Sequence, residues 1–483
     1  MKKRYKTKIA VEVLGNLLLG VVLLTIILVY TPALAQLSNY NPQGLKAYTL
    51  EEVLALPDEE IDLATAIMIL YKEWDAGFDV TGPLQEIDEM ARELETQIAP
   101  EDGPDKIVSL VNQYLFEERT YSSFGSAGPD RTMKLEDSAL PYVIQEGRGD
   151  CLGLSLLYLA LAERLGLPFY GVVATTHVFV RYQDEKKTIN IETTDSGEQY
   201  KDIYYEKRFM LHPSYRNHGF YLRSLLKREV IGVFLADLGV AYHKKAMCDE
   251  AIAQYRKALE INPHHAEVHY NLGRACGDKE MYEEEISEYR KAIELNPNHA
   301  KAHYDLGWAY GMKGMYEEEI SEYRKAIEIG PVYAEMHCNL GAAYLNKGMY
   351  DEAIAEFRKA IEISSDYFDA HYNLGLTHIH NGMYDEAIAE LGKALEINPD
   401  GADAHCALGI AYGKKGMSDE EVSDYRKAIE TNPNHVRAHN NLAVAYYHKG
   451  DYSLAIEHCD KAIALGHRVH PEFLEALEPY REK

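Results

Sequence analysis

Cysteine is scarce and scattered: six in 483 residues, with no CxxC pair and no Cys/His cluster at zinc-ligand spacing. Five of them, Cys248, Cys276, Cys338, Cys406 and Cys459, fall in the second half of the chain. Cys338 and Cys406 hold equivalent places two repeat periods apart, and four packed helix layers separate such places by well over the ~7 Å limit for a bridge. No disulfide framework is expected, and neither a metal nor any other cofactor. Basic residues are in deficit, 50 against 77 acidic ones, for a net charge of -27. So acidic a surface repels phosphate backbones, which excludes nucleic acid as an expected partner. Low-complexity tracts are absent outside the repeats. The composition is globular, 46% hydrophobic and 26% charged, and the length requires two or more domains.

What is present begins with a membrane signal. Lys2, Lys3, Arg4, Lys6 and Lys8 precede an uncharged stretch, Val13 to Gln36, and no basic residue returns until Lys46. A basic cluster ahead of an apolar run predicts a cytoplasmic N-terminus and an exported remainder. Two fates stay open for residues 1–35. The run is near the ~20 residues that span a bilayer, which gives a single-pass anchor in the cell membrane. Ala33-Leu34-Ala35 also fits small-x-small cleavage, which gives secretion after Ala35.

Self-similarity dominates the C-terminal half. Leu-Gly recurs at Leu238-Gly239, Leu272-Gly273, Leu306-Gly307, Leu340-Gly341, Leu374-Gly375 and Leu408-Gly409, with Leu442-Ala443 as the seventh, each step 34 residues. Tyr242, Tyr310, Tyr344, Tyr412 and Tyr446 follow in register. A small residue of the second helix recurs as Ala251, Ala353, Ala387 and Ala455, and is replaced by Glu285, Glu319 and Glu421. Proline punctuates the units at Pro263, Pro297, Pro331, Pro399 and Pro433. Period and motif resemble the tetratricopeptide repeat, a pair of antiparallel helices that must stack on its neighbours to bury its apolar face. Residues 232–469 make seven such units, and 470–483 a capping helix. The resemblance implies a concave groove of first helices that takes a protein or peptide. In this register the groove includes Tyr270, Arg274, Lys301, Tyr304, Trp308, Tyr372, Lys414, Asn440 and Tyr447. A column of histidines, His269, His303, His337, His371, His405 and His439, is expected to pack against the preceding unit; equivalent residues of successive units stand too far apart to share an ion at ~2 Å.

Between membrane signal and repeats, residues 36–104 read as helical. Thr49 to Glu52 is a capping box, Pro57 opens a helix continued through Leu70, and Pro83 to Ile98 forms another. Residues 105–228 are mixed. Gly147-Arg148-Gly149-Asp150 leads into a helix that is apolar all round, hence buried, with Asp150 as N-cap and Cys151 in its first turn. Helix amides lower a thiol's pKa, and a charged Asp150 opposes them. Two strands follow, Thr176 to Tyr182 and Thr188 to Glu192. A turn over Gln183 to Lys186, with Tyr182 opposite Lys187, sets His177 directly opposite Glu192, Cβ atoms about 5 Å apart. Such an acid holds an imidazole in one tautomer, with its other nitrogen toward a thiol.

Gly149-x-Cys151-x-x-x-Ser155-x-Leu157, Leu165-Gly166-Leu167-Pro168, the His177 strand and the Glu192 strand together resemble the transglutaminase-like superfamily of papain-like thiol folds. That resemblance implies an α+β domain with Cys151, His177 and Glu192 as the catalytic set. The family's third residue is usually aspartate, so Asn190 and Asp195 stand as alternatives, and Gln145 is an oxyanion donor by papain-like spacing. The expected architecture is mainly α: a membrane helix, an α+β thiol domain, then an α-solenoid. Two functions follow, a tethered protein-binding scaffold or a cysteine peptidase or acyl transferase acting on peptide amides.

Overall fold

The reason for the Leu-Gly period is a ring. In the computed structural model a Cβ on Gly239 would lie 2.5 Å from the Tyr255 ring, and the same holds for Gly273 over Tyr289 (2.7 Å), Gly307 over Tyr323 (2.8 Å), Gly341 over Phe357 (2.8 Å) and Gly409 over Tyr425 (2.6 Å), while Gly375 meets the branched side chain of Leu391 (2.6 Å). Each glycine therefore lets the first helix of a unit close on a large side chain sixteen residues later, in the second. At the seventh unit the glycine becomes Ala443 and the large residue becomes Cys459, a compensating exchange of volume. A second pairing, eight residues apart, explains the glutamates in the small-residue column. Glu285, Glu319 and Glu421 turn their carboxylates into the space over Gly277, Gly311 and Gly413. Units with alanine in that column carry His243, Leu345, Ile379 and Tyr447 at the glycine's place.

The structure describes residues 49–124, 135–209, 211, 219–330 and 333–481. The expected anchor and Pro331 lie outside them. Among the described residues no helix is long and apolar enough to cross a membrane. Seven helix pairs run in sequence, from Lys227–Lys244 with Cys248–Ile261 to Val436–Lys449 with Tyr452–Ala464, and Pro471–Arg481 follows as a final helix. Two compact units divide them, one ending at Pro297 with the first two pairs, the other running from Asn298 to Lys483 with the remaining five.

The histidine column does more than face the unit before. Each ring also joins the two helices of its own unit. His269, His303, His337, His371 and His405 place Nδ1 against Glu288 (2.6 Å), Glu322 (2.5 Å), Glu356 (2.5 Å), Glu390 (2.7 Å) and Asp424 (2.9 Å), nineteen residues on. Nε2 of His269 and His405 faces the carbonyls of Pro263 and Pro399. A lysine one turn later, Lys291, Lys325, Lys359 or Lys393, donates to the same glutamate. Five units thus carry a buried imidazole stitched to an acid.

In the first unit, the helix Cys151–Arg164 is buried on every side from Leu152 to Ala162. Against it lies a four-stranded antiparallel sheet. With the short parallel pair β1 (Ser122–Ser123) and β2 (Arg148–Gly149) counted first, its strands are β3 (Phe169–Ala174), β4 (His177–Gln183), β5 (Thr188–Glu192) and β6 (Glu198–Gln199), in that order. Of these, alternation in the sequence marks only β4 and β5. The Thr49 capping box is present, but the helix expected from Pro57 is interrupted. Asp58–Glu60 forms a single turn, and Asp62 caps a new helix, Leu63–Trp74. The break has a cause 169 residues away: the Asp58 carboxylate accepts the backbone N–H groups of Lys227 and Arg228, capping the first repeat helix. That helix begins at Lys227, ahead of the expected 232, and its Lys227 reaches Glu163 and the Ile61 carbonyl. Its apolar residues share one core with the thiol helix.

Candidate functional site

Asp150 starts the thiol helix by accepting the Gly153 N–H at 2.8 Å, which fixes Cys151 as the first helical residue. Gly153 is required there, since a Cβ would meet the Asp137 carbonyl and Val143 at 2.7 Å. Cys151 as a residue is half-buried, but its thiol is enclosed and takes a hydrogen bond from the Val178 backbone, so it lies against β4 one residue along from His177. One turn later Ser155 reaches Thr193 at 3.1 Å.

His177 and Glu192 meet at 2.7 Å, Nε2 to Oε2, leaving Nδ1 as the ring's second nitrogen. They do so in a register other than the expected one. Gln183 opposes Thr188 and Tyr182 opposes Ile189, a shift of two residues that sets Val180 opposite Ile191, where the expected register put Val178. The Asp184 carboxylate moves the turn by accepting the N–H groups of Lys186 and Lys187, both at 2.7 Å. A two-residue shift keeps parity, so His177 and Glu192 still share a face and meet on the diagonal. Glu192's other oxygen accepts from Thr194, backbone (3.1 Å) and hydroxyl (2.5 Å). Burial pushes its carboxyl up, but the His177 and Thr194 hydrogen bonds outweigh that and hold it below the ordinary range. The imidazole stacks on Phe209 at 4.8 Å.

The alternative third residues are engaged elsewhere. Asn190 joins Arg181 and Asp202, each at 2.7 Å, and Asp195 accepts from Tyr200. Gln145 is exposed on the helix Leu140–Glu146. Val178, Val180 and Tyr182 pack in the core of the thiol helix, whereas Phe179 packs with Tyr205 on the other face, the face of His177. Among the described residues no hydrogen bond joins the Cys151 thiol to the imidazole.

Of the two opposing influences expected on the thiol, the raising one prevails. Burial, then Asp150, pushes the Cys151 thiol far up, against the single Val178 hydrogen bond, and Asp237 and Glu192 add to the rise. Asp237 comes from the first repeat helix and was not singled out in the sequence. Ser138 Oγ lies 2.8 Å from Asp237 and also contacts Asp150. One hydroxyl has one hydrogen, so one of the two acids must carry a proton for both contacts to be hydrogen bonds. Burial, then Asp150, accordingly pushes Asp237 up to about 7.

Of the groove residues, Tyr270 is buried against Tyr289, with Arg274 over its ring. Lys301 and Lys414 are exposed, Tyr372 is half-buried and stacks on Phe368, and Asn440 is half-buried. Tyr304 receives Asn339 and donates to Glu335, while Trp308 is 45% exposed. Tyr447 meets the rings of Tyr452 and Phe473, the latter on the final helix, at 5.6 Å.

A family model described as the transglutaminase-like superfamily matches residues 83–232. Tetratricopeptide models match segments from 239 to 467. No curated protein matches the chain. Among solved structures, YrrB, described as a TPR protein with an unusual peptide-binding site, is 27% identical over 38% of this chain and 95% of its own, with a TM-score of 0.35. MamA is 30% identical over 34% and 95%, at 0.33. A MamA fragment from Desulfovibrio magneticus RS-1 is 24% identical over 34% and 94%, at 0.33. Period, helix pairs and family models agree: the chain belongs to the tetratricopeptide-repeat proteins and carries a transglutaminase-like domain ahead of its repeats.

Proposed function

We propose that this chain is a scaffold, held outside the cytoplasm by its N-terminal segment, whose repeats take an extended peptide from a partner protein. One observation carries the reading. Lys301, Tyr304, Trp308 and Met312 fall at i, i+3, i+7 and i+11 on the helix Ala300–Met312, a single stripe. Trp308 and Met312 on it are 45% and 54% exposed. Large apolar side chains that a unit leaves in solvent beside hydrogen-bonding groups (Glu335, Asn339) suit a peptide backbone flanked by an anchor. The test is selection of peptides on the purified chain from a random library, followed by titration of the selected peptide. Trp308→Ala should weaken it about tenfold or more. Equal affinity for both chains would remove the stripe from the reading.

The His177–Glu192 pair favours a second reading, a thiol acyl transferase or peptidase. There Cys151 attacks an amide carbonyl, His177 passes the proton to the departing amine, and water or a second amine takes the acyl group from sulfur. The carboxylates around Cys151 weigh toward a thiol that is quiescent without substrate. Iodoacetamide labelling across pH separates the two. Reaction at Cys151 below neutral pH, lost in His177→Ala, supports the enzyme; labelling only in alkali supports the scaffold.

A further inference from the structure

Three residues of the first two repeats depart from the repeat pattern and converge. His243 lies in the last turn of the first repeat's first helix, at a place held elsewhere by Gly277, Gly311, Leu345, Ile379, Gly413 and Tyr447. Cys248 opens the second helix, where five units have Tyr282, Tyr316, Tyr350, Tyr384 and Tyr452, and one has Ser418. Asp278 is the C-cap of the helix Ala266–Gly277. Their imidazole nitrogen, sulfur and carboxylate oxygen all lie within 4.8 Å of one another, with Nε2 to Oδ2 at 2.7 Å. Among the described residues this is the one such cluster of three.

We propose that His243, Cys248 and Asp278 bind a zinc-type divalent cation at the turn between the two helices of the first repeat. The donor mixture is one that zinc takes, with bonds of about 2.0–2.3 Å that set donors roughly 3.3–3.8 Å apart around a tetrahedron. Closing from 4.8 Å needs a shift of about 1 Å. Asp278, the most exposed of the three, has room to make it by exchanging its bond to His243 for one to the ion. The field also suits a cation. Asp278, Asp249 and Glu250 set negative charge about the Cys248 sulfur, and Lys279 opposes them. Lys279 is itself neutralised by Asp249. A bare thiolate is disfavoured among these carboxylates, and a metal-bound one is relieved by the ion's charge. Three protein ligands leave a fourth position for water or for a donor from another molecule.

The experiment uses the full chain carrying Cys151→Ser, reduced and freed of metal by chelation, titrated with Co²⁺ as a spectroscopic stand-in for Zn²⁺. One equivalent should bind with a near-ultraviolet thiolate-to-cobalt charge-transfer band that Zn²⁺ displaces. Cys248→Ser, which installs the residue found at position 418 in the sixth unit, should abolish the band. His243→Gln and Asp278→Asn should each raise Kd about tenfold or more. Circular dichroism of each variant verifies the helices, and the conservative pair keeps the test decisive should one variant unfold. The proposal is overturned by a titration with no sulfur-to-cobalt band, by a band that survives Cys248→Ser, or by a Kd unmoved in both ligand variants.

Discussion

The seventh repeat lacks the acid that the five repeats before it use. Where Glu288, Glu322, Glu356, Glu390 and Asp424 stand, it has His458, whose Nδ1 lies 3.0 Å from Nδ1 of His439. Two neutral imidazoles can share one hydrogen there, and two protonated ones repel. Burial, then His439, accordingly holds His458 below the usual histidine range. Lys461 already occupies the place of Lys291, Lys325, Lys359 and Lys393. His458→Glu should therefore complete the stitch. A charge-assisted hydrogen bond contributes about 1.5–3 kcal/mol when buried, and partial exposure reduces that to about 1–2 kcal/mol. Against it stands the stacking of His458 on Tyr446 at 5.8 Å, worth about 0.5–1.5 kcal/mol. The expected net gain is about 0.5 kcal/mol at pH 7. Repeat arrays need not unfold in one step, so the measurement is hydrogen exchange of the helix Tyr452–Ala464, compared in chains with and without His439→Ala. The stitch is refuted if protection does not rise, or rises equally when His439 is missing.

Arg164 is buried between Asp62 (3.0 Å) and Asp88 (2.8 Å), and Arg164→Ala should cost about 3–5 kcal/mol by leaving two acids without their cation; a loss below 1 kcal/mol in urea unfolding would show the cluster to be dispensable. Stability should peak in mild acid, about pH 5–6. Despite burial, His and Lys partners hold Glu288, Glu322 and Glu390 low, so their stabilisation is complete above the ordinary carboxylate pKa and lost as pH falls through the depressed values. Burial pushes Glu319 and Asp237 up to about 7, so these two favour unfolding increasingly as pH climbs toward that value. A melting midpoint that rises steadily from pH 5 to 8 would contradict the second half of this account. Asp237→Asn removes a charge that raises the Cys151 thiol, and should speed its alkylation at pH 8 to 9, read by mass spectrometry; an unchanged rate would mean that Asp237 carries its proton even there.

The repeats were legible because their determinants are local. A glycine and the ring it accommodates lie sixteen residues apart, and 34-residue periodicity multiplies the signal. The partners of the histidines were equally legible, at nineteen residues, but a search for shared ligands between units looks in the wrong direction. Alternation placed His177 and Glu192 on one face because parity survives a two-residue shift; it could not see Asp184 selecting the turn. Least legible were contacts without periodicity. Asp58 capping a helix at Lys227, and Asp237 entering the surroundings of Cys151, join residues far apart in sequence, and no pattern within either segment announces the other.

The exchange between Gly311 with Glu319 and Leu345 with Ala353 bears on how such arrays change through descent. Each unit carries one of two keyed seams, and both halves of a key are inherited within a single unit. Whole units can be gained, lost or reordered by recombination at their boundaries with every key intact. A crossover between positions 311 and 319 would instead join leucine to glutamate or glycine to alanine, one overfilled and the other hollow. Chimeras spliced at that point should melt below chimeras spliced between units, and equal melting would show that the seam tolerates mixed halves.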